Sequence, residues 1–248
     1  MLRDRYYPES LWRCGGAEIR ADGIPGTEIL TAVDDFLKEK QRRNHPGLTV
    51  LTLRLRRDGG SWEDENAGMR EDIWRTVAAA AHHPDFVDIE IESAPHLSLE
   101  TWKALRDAKI GILMSHHAFA PEDPAVWERY LAAMREYHPE AVKFAVWPSD
   151  RAALIALLQF TRLVAAAFPL SCVLGMGQVG RPTRLAGPLR GCPIAYGYLE
   201  NGPVAPGQIS ADQLRNVFSR YENGPGSDKL VEEWINWADE RLGALHAA

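Results

Sequence analysis

Lys143 stands inside "AVKFAVWP" (141–148), a run of Ala, Val, Phe, Val and Trp closed by Pro148. Such a run predicts a strand buried on both faces, where an ammonium group is among the least favoured side chains. Taking a lysine out of water favours its uncharged amine. An amine beside a ketone forms a carbinolamine and then an imine, which is covalent catalysis by a Schiff base. The other reading is a lysine that snorkels or pairs with a carboxylate at a strand end. The chain has only six lysines, and Lys38, Lys40, Lys103, Lys109 and Lys229 fall on polar helix faces or element ends. Lys143 is therefore the first candidate for chemistry.

"LMSHHAF" (113–119) follows an apolar run, so His116 and His117 face the top of the fold or its rim. An imidazole there suits proton transfer to and from carbon and oxygen, or else hydrogen bonding to a backbone carbonyl. Neighbours on a strand do not readily turn toward one metal ion, and no metal site is expected. His82 and His83 are expected to end a helix and complement its negative pole. In "AEIRAD" (17–22), Glu18, Arg20 and Asp22 share one strand face and, inside a closed fold, must pair with each other or with a ligand. With Arg54 on the next strand they suit the binding of hydroxyls. "GRPTRLAGP" (180–188) and "GPVAPGQIS" (202–210) read as loops, the first offering Arg184 as a carboxylate clamp and the second a Pro/Gly-rich lid.

Strand candidates recur along the chain: 17–22, 48–55, 85–92, 110–115, the Lys143 run, 171–176 and 193–199. Helical spacing separates them, with Ser98 and either Ser149 or Asp150 placed as N-caps. Seven strands in βα alternation predict a parallel sheet. Polar residues at nearly every strand end favour a (β/α)8 barrel of the TIM type over an open doubly wound sheet, with one strand missing. Residues 1–221 are expected to form the barrel domain and 222–248 a hinge and a C-terminal helix.

The bulk composition, 46% apolar and 25% charged, is that of a globular protein. A net charge of −6 argues against nucleic acid or an anionic membrane surface as partner. No apolar run reaches the roughly 18 residues that span a bilayer, and the N-terminus lacks a signal core. Three cysteines, Cys14, Cys172 and Cys192, form neither an even set nor a metal-ligand spacing. They fit the reduced thiols of a cytoplasmic protein.

Taken together, "EIRAD", "LTLRLRRDGG", "DIEIE", "MSHHAF", "VKFAVWP", "GRPTRLAG" and "APGQIS" resemble the type I 3-dehydroquinate dehydratases, in that family's order and near its spacing over roughly residues 17–220. The resemblance implies a TIM barrel that converts 3-dehydroquinate to 3-dehydroshikimate without metal or cofactor. It implies that Lys143 forms the imine and that His117 is the general acid/base, while His116 receives no catalytic role. By the same resemblance Glu18, Arg20 and Arg54 contact substrate hydroxyls, Arg184 and Gln208 serve the carboxylate and the lid, and Met176 lines the pocket.

Three departures from the family stand out. Asp58 occupies a position where the family usually has Glu, supporting the histidine. Val204 replaces the lid serine. The strand and helix that precede "EIRAD" in the family have only sixteen residues here, too few for a strand plus crossover. A barrel with open edges attracts another chain, so the C-terminal helix or a partner subunit is expected to cover the gap, giving a homodimer. The departures leave open an altered-substrate Schiff-base lyase, or a noncatalytic paralogue that binds a ligand or assembles with a partner.

Overall fold

The alternation in the sequence becomes a series of βα units in the computed structural model, which describes residues 7–200, 202–203 and 205–221. The lid position Val204 and the expected hinge and helix over 222–248 lie outside the described residues. The chain divides into two compact units, Met1–Ser115 and His116–Ala248.

The first unit carries β1 (Gly16–Arg20), α1 (Gly26–Arg42), β2 (Leu48–Thr52), α2 (Ala67–Ala78), β3 (Phe86–Glu90), α3 (Leu99–Asp107) and most of β4 (Gly111–His117). Its strands pair in parallel: Glu18 lies opposite Val50, Arg20 opposite Thr52, and Glu90 opposite Ser115. Helix α1 turns Ile29, Val33, Phe36 and Leu37 inward at helical spacing. Ser98 caps α3 as expected, its side chain accepting from the Thr101 N–H. Ahead of β1 the described residues form no strand, only a 3-10 turn over Leu11–Arg13. That segment is held by aromatic contact, with Trp12 stacked on Phe36 at 5.8 Å and the Arg43 guanidinium 4.9 Å from the Trp12 ring.

The second unit carries the end of β4, then α4 (Pro124–Glu136), β5 (Ala141–Val146), α5 (Arg151–Ala167), β6 (Ser171–Gly175), α6 (Gly177–Gly180), α7 (Thr183–Leu189), β7 (Gly197–Tyr198), β8 (Ile209–Ser210) and α8 (Ala211–Tyr221). All six residues of β5 are buried, as its continuous apolar run predicts. Asp123 and Asp150 cap α4 and α5 through their side chains. Phe144 of β5 meets Phe160 of α5 at 4.9 Å, so this strand face looks toward the helices. The alternate face holds Ala145, which clusters with Cys172, Leu174 and Met176.

The strands of the main sheet follow chain order, β1-β2-β3-β4-β5-β6, and the parallel α/β class expected for a barrel-type fold holds. Three local expectations need correction. The stretch 193–199 does not add a seventh strand to this sheet: only Gly197–Tyr198 is extended, and it pairs with Ile209–Ser210 in a separate two-stranded sheet. Pro193 has no N–H for a ladder, while the Ile194 N–H bonds the Ser171 carbonyl of β6 at 3.0 Å. Second, α2 ends at Ala78, so His82 lies beyond it, with Nδ1 3.4 Å from Asp34 on α1. Third, much of "GRPTRLAGP" is helical rather than a loop: Pro182 stands at the N-cap of α7 and Pro188 sits in its last turn.

Candidate active site

In the first unit the polar residues of β1 are engaged with their own neighbours. Arg20 donates to Asp22 through Nε at 2.8 Å and a terminal nitrogen at 3.0 Å. The Ser61 N–H donates to the same Asp22 at 2.9 Å, and Arg20 with these bonds holds the carboxyl below its ordinary range despite burial. Glu18 accepts from the Thr52 hydroxyl at 2.9 Å.

Arg54 is the centre of a buried ionic network. It donates to Glu90 at 3.0 Å, to the Ser115 hydroxyl at 2.9 Å and to Asp88. Ser115 in turn donates to Asp88 at 2.6 Å. From α2, Arg70 reaches Glu90 at 2.8 Å, the Leu53 carbonyl at 3.0 Å and the Ser93 hydroxyl at 3.1 Å. Two guanidiniums thus face two carboxylates, each charge paired and hydrogen-bonded, as burial of ions requires.

Asp58 ends a short 3-10 turn, Arg56–Asp58, that closes with Gly59 in the left-handed region. The following glycine is needed for close approach: a Cβ on Gly60 would lie 2.0 Å from the Arg54 carbonyl oxygen. Burial, then the charges of Glu90 and Glu92, push the Asp58 carboxyl up to about 6. Its Oδ2 has no hydrogen-bond partner, although the Arg57 Nε stands 3.5 Å away.

In the second unit the two neighbouring histidines have opposite surroundings. His116 is buried, with Nε2 3.0 Å from Glu122 and its ring stacked on Tyr130 at 4.2 Å. It also meets Phe144 edge-on at 6.1 Å, so it belongs to the helix-facing side of the strand. Alternation along β4 turns His117 to the other side, the side on which Lys143 and Ala145 alternate with Phe144.

Lys143 is 6% exposed and lies opposite Cys172 in the β5–β6 register. Its Nζ stands 4.2 Å from the centroid of the Tyr196 ring. Met176, buried one residue beyond β6, belongs to the cluster with Cys172 and Leu174, joined by Trp147, Ile194 and Tyr196. The Met176 N–H bonds the Val146 carbonyl at 2.7 Å and so holds these strand ends together.

Arg184 is positioned by the start of α7. The Thr183 hydroxyl accepts from the Gly175 N–H at 2.6 Å and donates to the Gly180 carbonyl at 2.6 Å, which ties the helix to the end of β6. Arg184 is buried and donates to the Pro206 carbonyl at 3.0 Å, while its Nε has no hydrogen-bond partner. Burial draws this guanidinium below its ordinary value, with Arg181 adding to the effect and Cys172 opposing it. Gln208 lines a cavity of about 500 Å³ with Gln178, Arg181, Pro203, Ala205, Pro206 and Gly207. Gly207 adopts a φ of 74°, and a Cβ there would meet the Gly177 carbonyl oxygen at 2.5 Å.

The sequence candidates thus form two groups, one in each unit: Glu18, Arg20, Arg54 and Asp58, and His117, Lys143, Met176, Arg184 and Gln208. Asp88, Arg70 and Ser115 were not singled out from sequence, yet they complete the Arg54 network. Their signal was available. "DIEIE" sets acids at spacing of two, and Arg70 falls on the Ile73, Trp74 and Val77 face of α2. Among the described residues no three His, Cys, Asp or Glu side chains are grouped to hold a metal ion. Nor is any described helix long and apolar enough to cross a membrane.

Parallel βα units, one strand of which carries a buried lysine, define a barrel-type α/β scaffold. A model of the family described as type I 3-dehydroquinase matches residues 12–224, and the chain belongs to this family. Its relatives include the 3-dehydroquinate dehydratases of Streptococcus thermophilus, 31% identical over 83% of this chain and 88% of that protein, and of Methanosarcina barkeri, 27% identical over 83% and 84%. The crystal structure of 3-dehydroquinate dehydratase from Geobacillus kaustophilus is similar with a TM-score of 0.71 at 25% identity, over 89% of this chain and 85% of that one.

Proposed function

We propose that this chain is a type I 3-dehydroquinate dehydratase, a hydro-lyase that works through an imine on Lys143. The observation that carries the reading is a lysine buried to 6% exposure in a strand of six buried residues, within a chain of this family. Lys143 would add to the ring ketone, and the carbinolamine would lose water to give a protonated imine. That cation withdraws electrons from the neighbouring carbon, whose proton then leaves. His117 would act as general acid/base for the proton transfers and for departure of the hydroxyl as water. Arg184 and Gln208 would serve the substrate carboxylate and the lid, with Met176 lining the pocket. Glu18, Arg20 and Arg54 would contact hydroxyls, and Asp58 would support the histidine. The buried network gives Arg54 a fixed orientation, which is the preorganisation a hydroxyl contact needs.

Asp58, one carbon shorter than the family's glutamate, favours a second reading in which the same imine chemistry acts on another hydroxylated keto acid. A cytoplasmic homodimer completes the proposal. Among the described residues β1 pairs within the main sheet with β2 alone, leaving a strand edge that a second copy would cover.

Borohydride reduction in the presence of 3-dehydroquinate tests the central claim. The expected result is a stable mass adduct on Lys143, absent in Lys143→Ala, together with the appearance of dehydroshikimate absorbance. An adduct without that product selects the altered substrate, and no adduct at Lys143 overturns the imine route. Light scattering that gives a monodisperse monomer would overturn the homodimer.

A further inference from the structure

Tyr196 lies in the stretch that leaves the main sheet, and its ring faces Lys143 with Nζ 4.2 Å from the centroid. The ring is half-buried and packs on the cluster of Ala145, Cys172, Leu174 and Met176. Both flanks of this stretch are pinned. The Ile194 N–H bonds the Ser171 carbonyl at 3.0 Å, and Gly197 pairs with Ile209. Gly197 also approaches α8 so closely that an added Cβ would lie 2.6 Å from the Ala211 Cα. The ring therefore has little freedom to withdraw from the lysine nitrogen. The face of an aromatic ring attracts a cation within about 6 Å of its centroid, and more strongly where water is excluded.

We propose that Tyr196 is a positioning residue for the imine chemistry, its ring face holding the Lys143 nitrogen and favouring each step that turns that nitrogen from neutral to cationic. This inference rests on the imine reading of Lys143 and adds to it a residue that the family motifs did not single out. Two such steps occur. In the first, the neutral carbinolamine loses its hydroxyl, which takes a proton and leaves as water, while the nitrogen lone pair forms the cationic C=N bond. Removal of a proton from the neighbouring carbon then returns the electrons to nitrogen as a neutral enamine. In the second, the enamine electrons expel the ring hydroxyl, again as water with an added proton, and the C=N cation is restored. A ring beside the nitrogen interacts weakly with the neutral species and strongly with the cations, so it lowers both barriers. Stabilisation that appears only as charge develops is the kind that raises kcat.

The test replaces Tyr196 by Phe and then by mono-, di- and trifluorinated phenylalanines, which keep the ring's outline while draining charge from its face. Tyr196→Phe should keep kcat within about twofold, and kcat should fall stepwise with each fluorine to about tenfold below Phe, equivalent to ~1.4 kcal/mol. KM should change less than about threefold. Tyr196→Leu should match the most fluorinated variant, and borohydride trapping at Lys143 should slow in parallel. A kcat that stays flat across the fluorinated series overturns the assignment to Tyr196 while trapping at Lys143 persists. Absence of any Lys143 adduct in the parent chain instead overturns the imine reading on which the inference stands.

Discussion

Arg54 and Arg70 share one carboxylate. Glu90 accepts from Arg54 through Oε1 at 3.0 Å and from Arg70 through Oε2 at 2.8 Å. A residue two positions past the end of β2 and a residue of α2 are thereby locked to β3 by a single acid. Removing one member of a buried ionic network costs about 3–5 kcal/mol, because the charges left behind are already out of water. Glu90→Leu should lower stability by about that amount, read as a shift in the urea midpoint. A midpoint equal to that of the parent chain would mean the two guanidiniums draw their neutralisation from elsewhere.

Asp58 gives a pH signature of the opposite sense to a salt-bridged acid. Its folded-state carboxyl is raised to about 6, above the ordinary aspartate value of 3.8, so the folded state holds its proton more tightly than the unfolded chain does. Folding stability contributed by this group is therefore present at pH 4 and is lost as pH rises through about 6. Asp58→Asn removes the titration. Its stability relative to the parent should rise by about 2 kcal/mol between pH 4 and pH 8, most of it between pH 4 and pH 6. Thermal melts across that range check it, and a difference independent of pH would show that Asp58 keeps its ordinary affinity for protons.

His116 and His117 should separate cleanly on mutation. His116 bonds Glu122 and stacks on Tyr130, so His116→Phe keeps the stacking and loses the bond to Glu122. About 1 kcal/mol of stability should go, with turnover within about threefold. His117→Ala should lower kcat by about 10²–10⁴, the usual worth of a general acid/base. Steady-state assays of both variants decide it, and a reversal of the two effects would exchange their roles.

Thr183, the residue before Arg184, ties the start of α7 to the end of β6 through its hydroxyl. Thr183→Val keeps the shape and leaves the Gly175 N–H and the Gly180 carbonyl unmatched. A loss of about 1–3 kcal/mol is expected from the buried donor alone. If Arg184 holds the substrate carboxylate, KM should rise several-fold while the Lys143 adduct still forms. An unchanged KM in a destabilised variant would confine Thr183 to a structural part.

The strands and caps were legible because they depend on short-range physics. The unbroken apolar run around Lys143 could only be a doubly buried strand, and Ser98 and Asp150 stood where an N-cap oxygen is needed. The family motifs likewise brought out the residues of both candidate groups. Less legible were features decided by tertiary contact. Residues 193–199 carry strand-like side chains, but Pro193 and the close approach of Gly197 to Ala211 divert them to pair with Ile209–Ser210. The prolines of 180–188 suggested a loop, whereas Pro182 merely begins α7 and Pro188 falls in its last turn. Arg70 was not singled out from the sequence, and the structure places it between Glu90, Ser93 and the Leu53 carbonyl.

The two imidazoles at the end of β4 are separated by nothing more than strand parity. Deleting or inserting a single amino acid upstream within that strand would exchange the aromatic niche of Tyr130 and Phe144 for the lysine side, and the reverse, with no change in composition. Efforts to diversify this protein should therefore hold the length of residues 111–117 constant, because register alone decides which imidazole shares a side with the lysine.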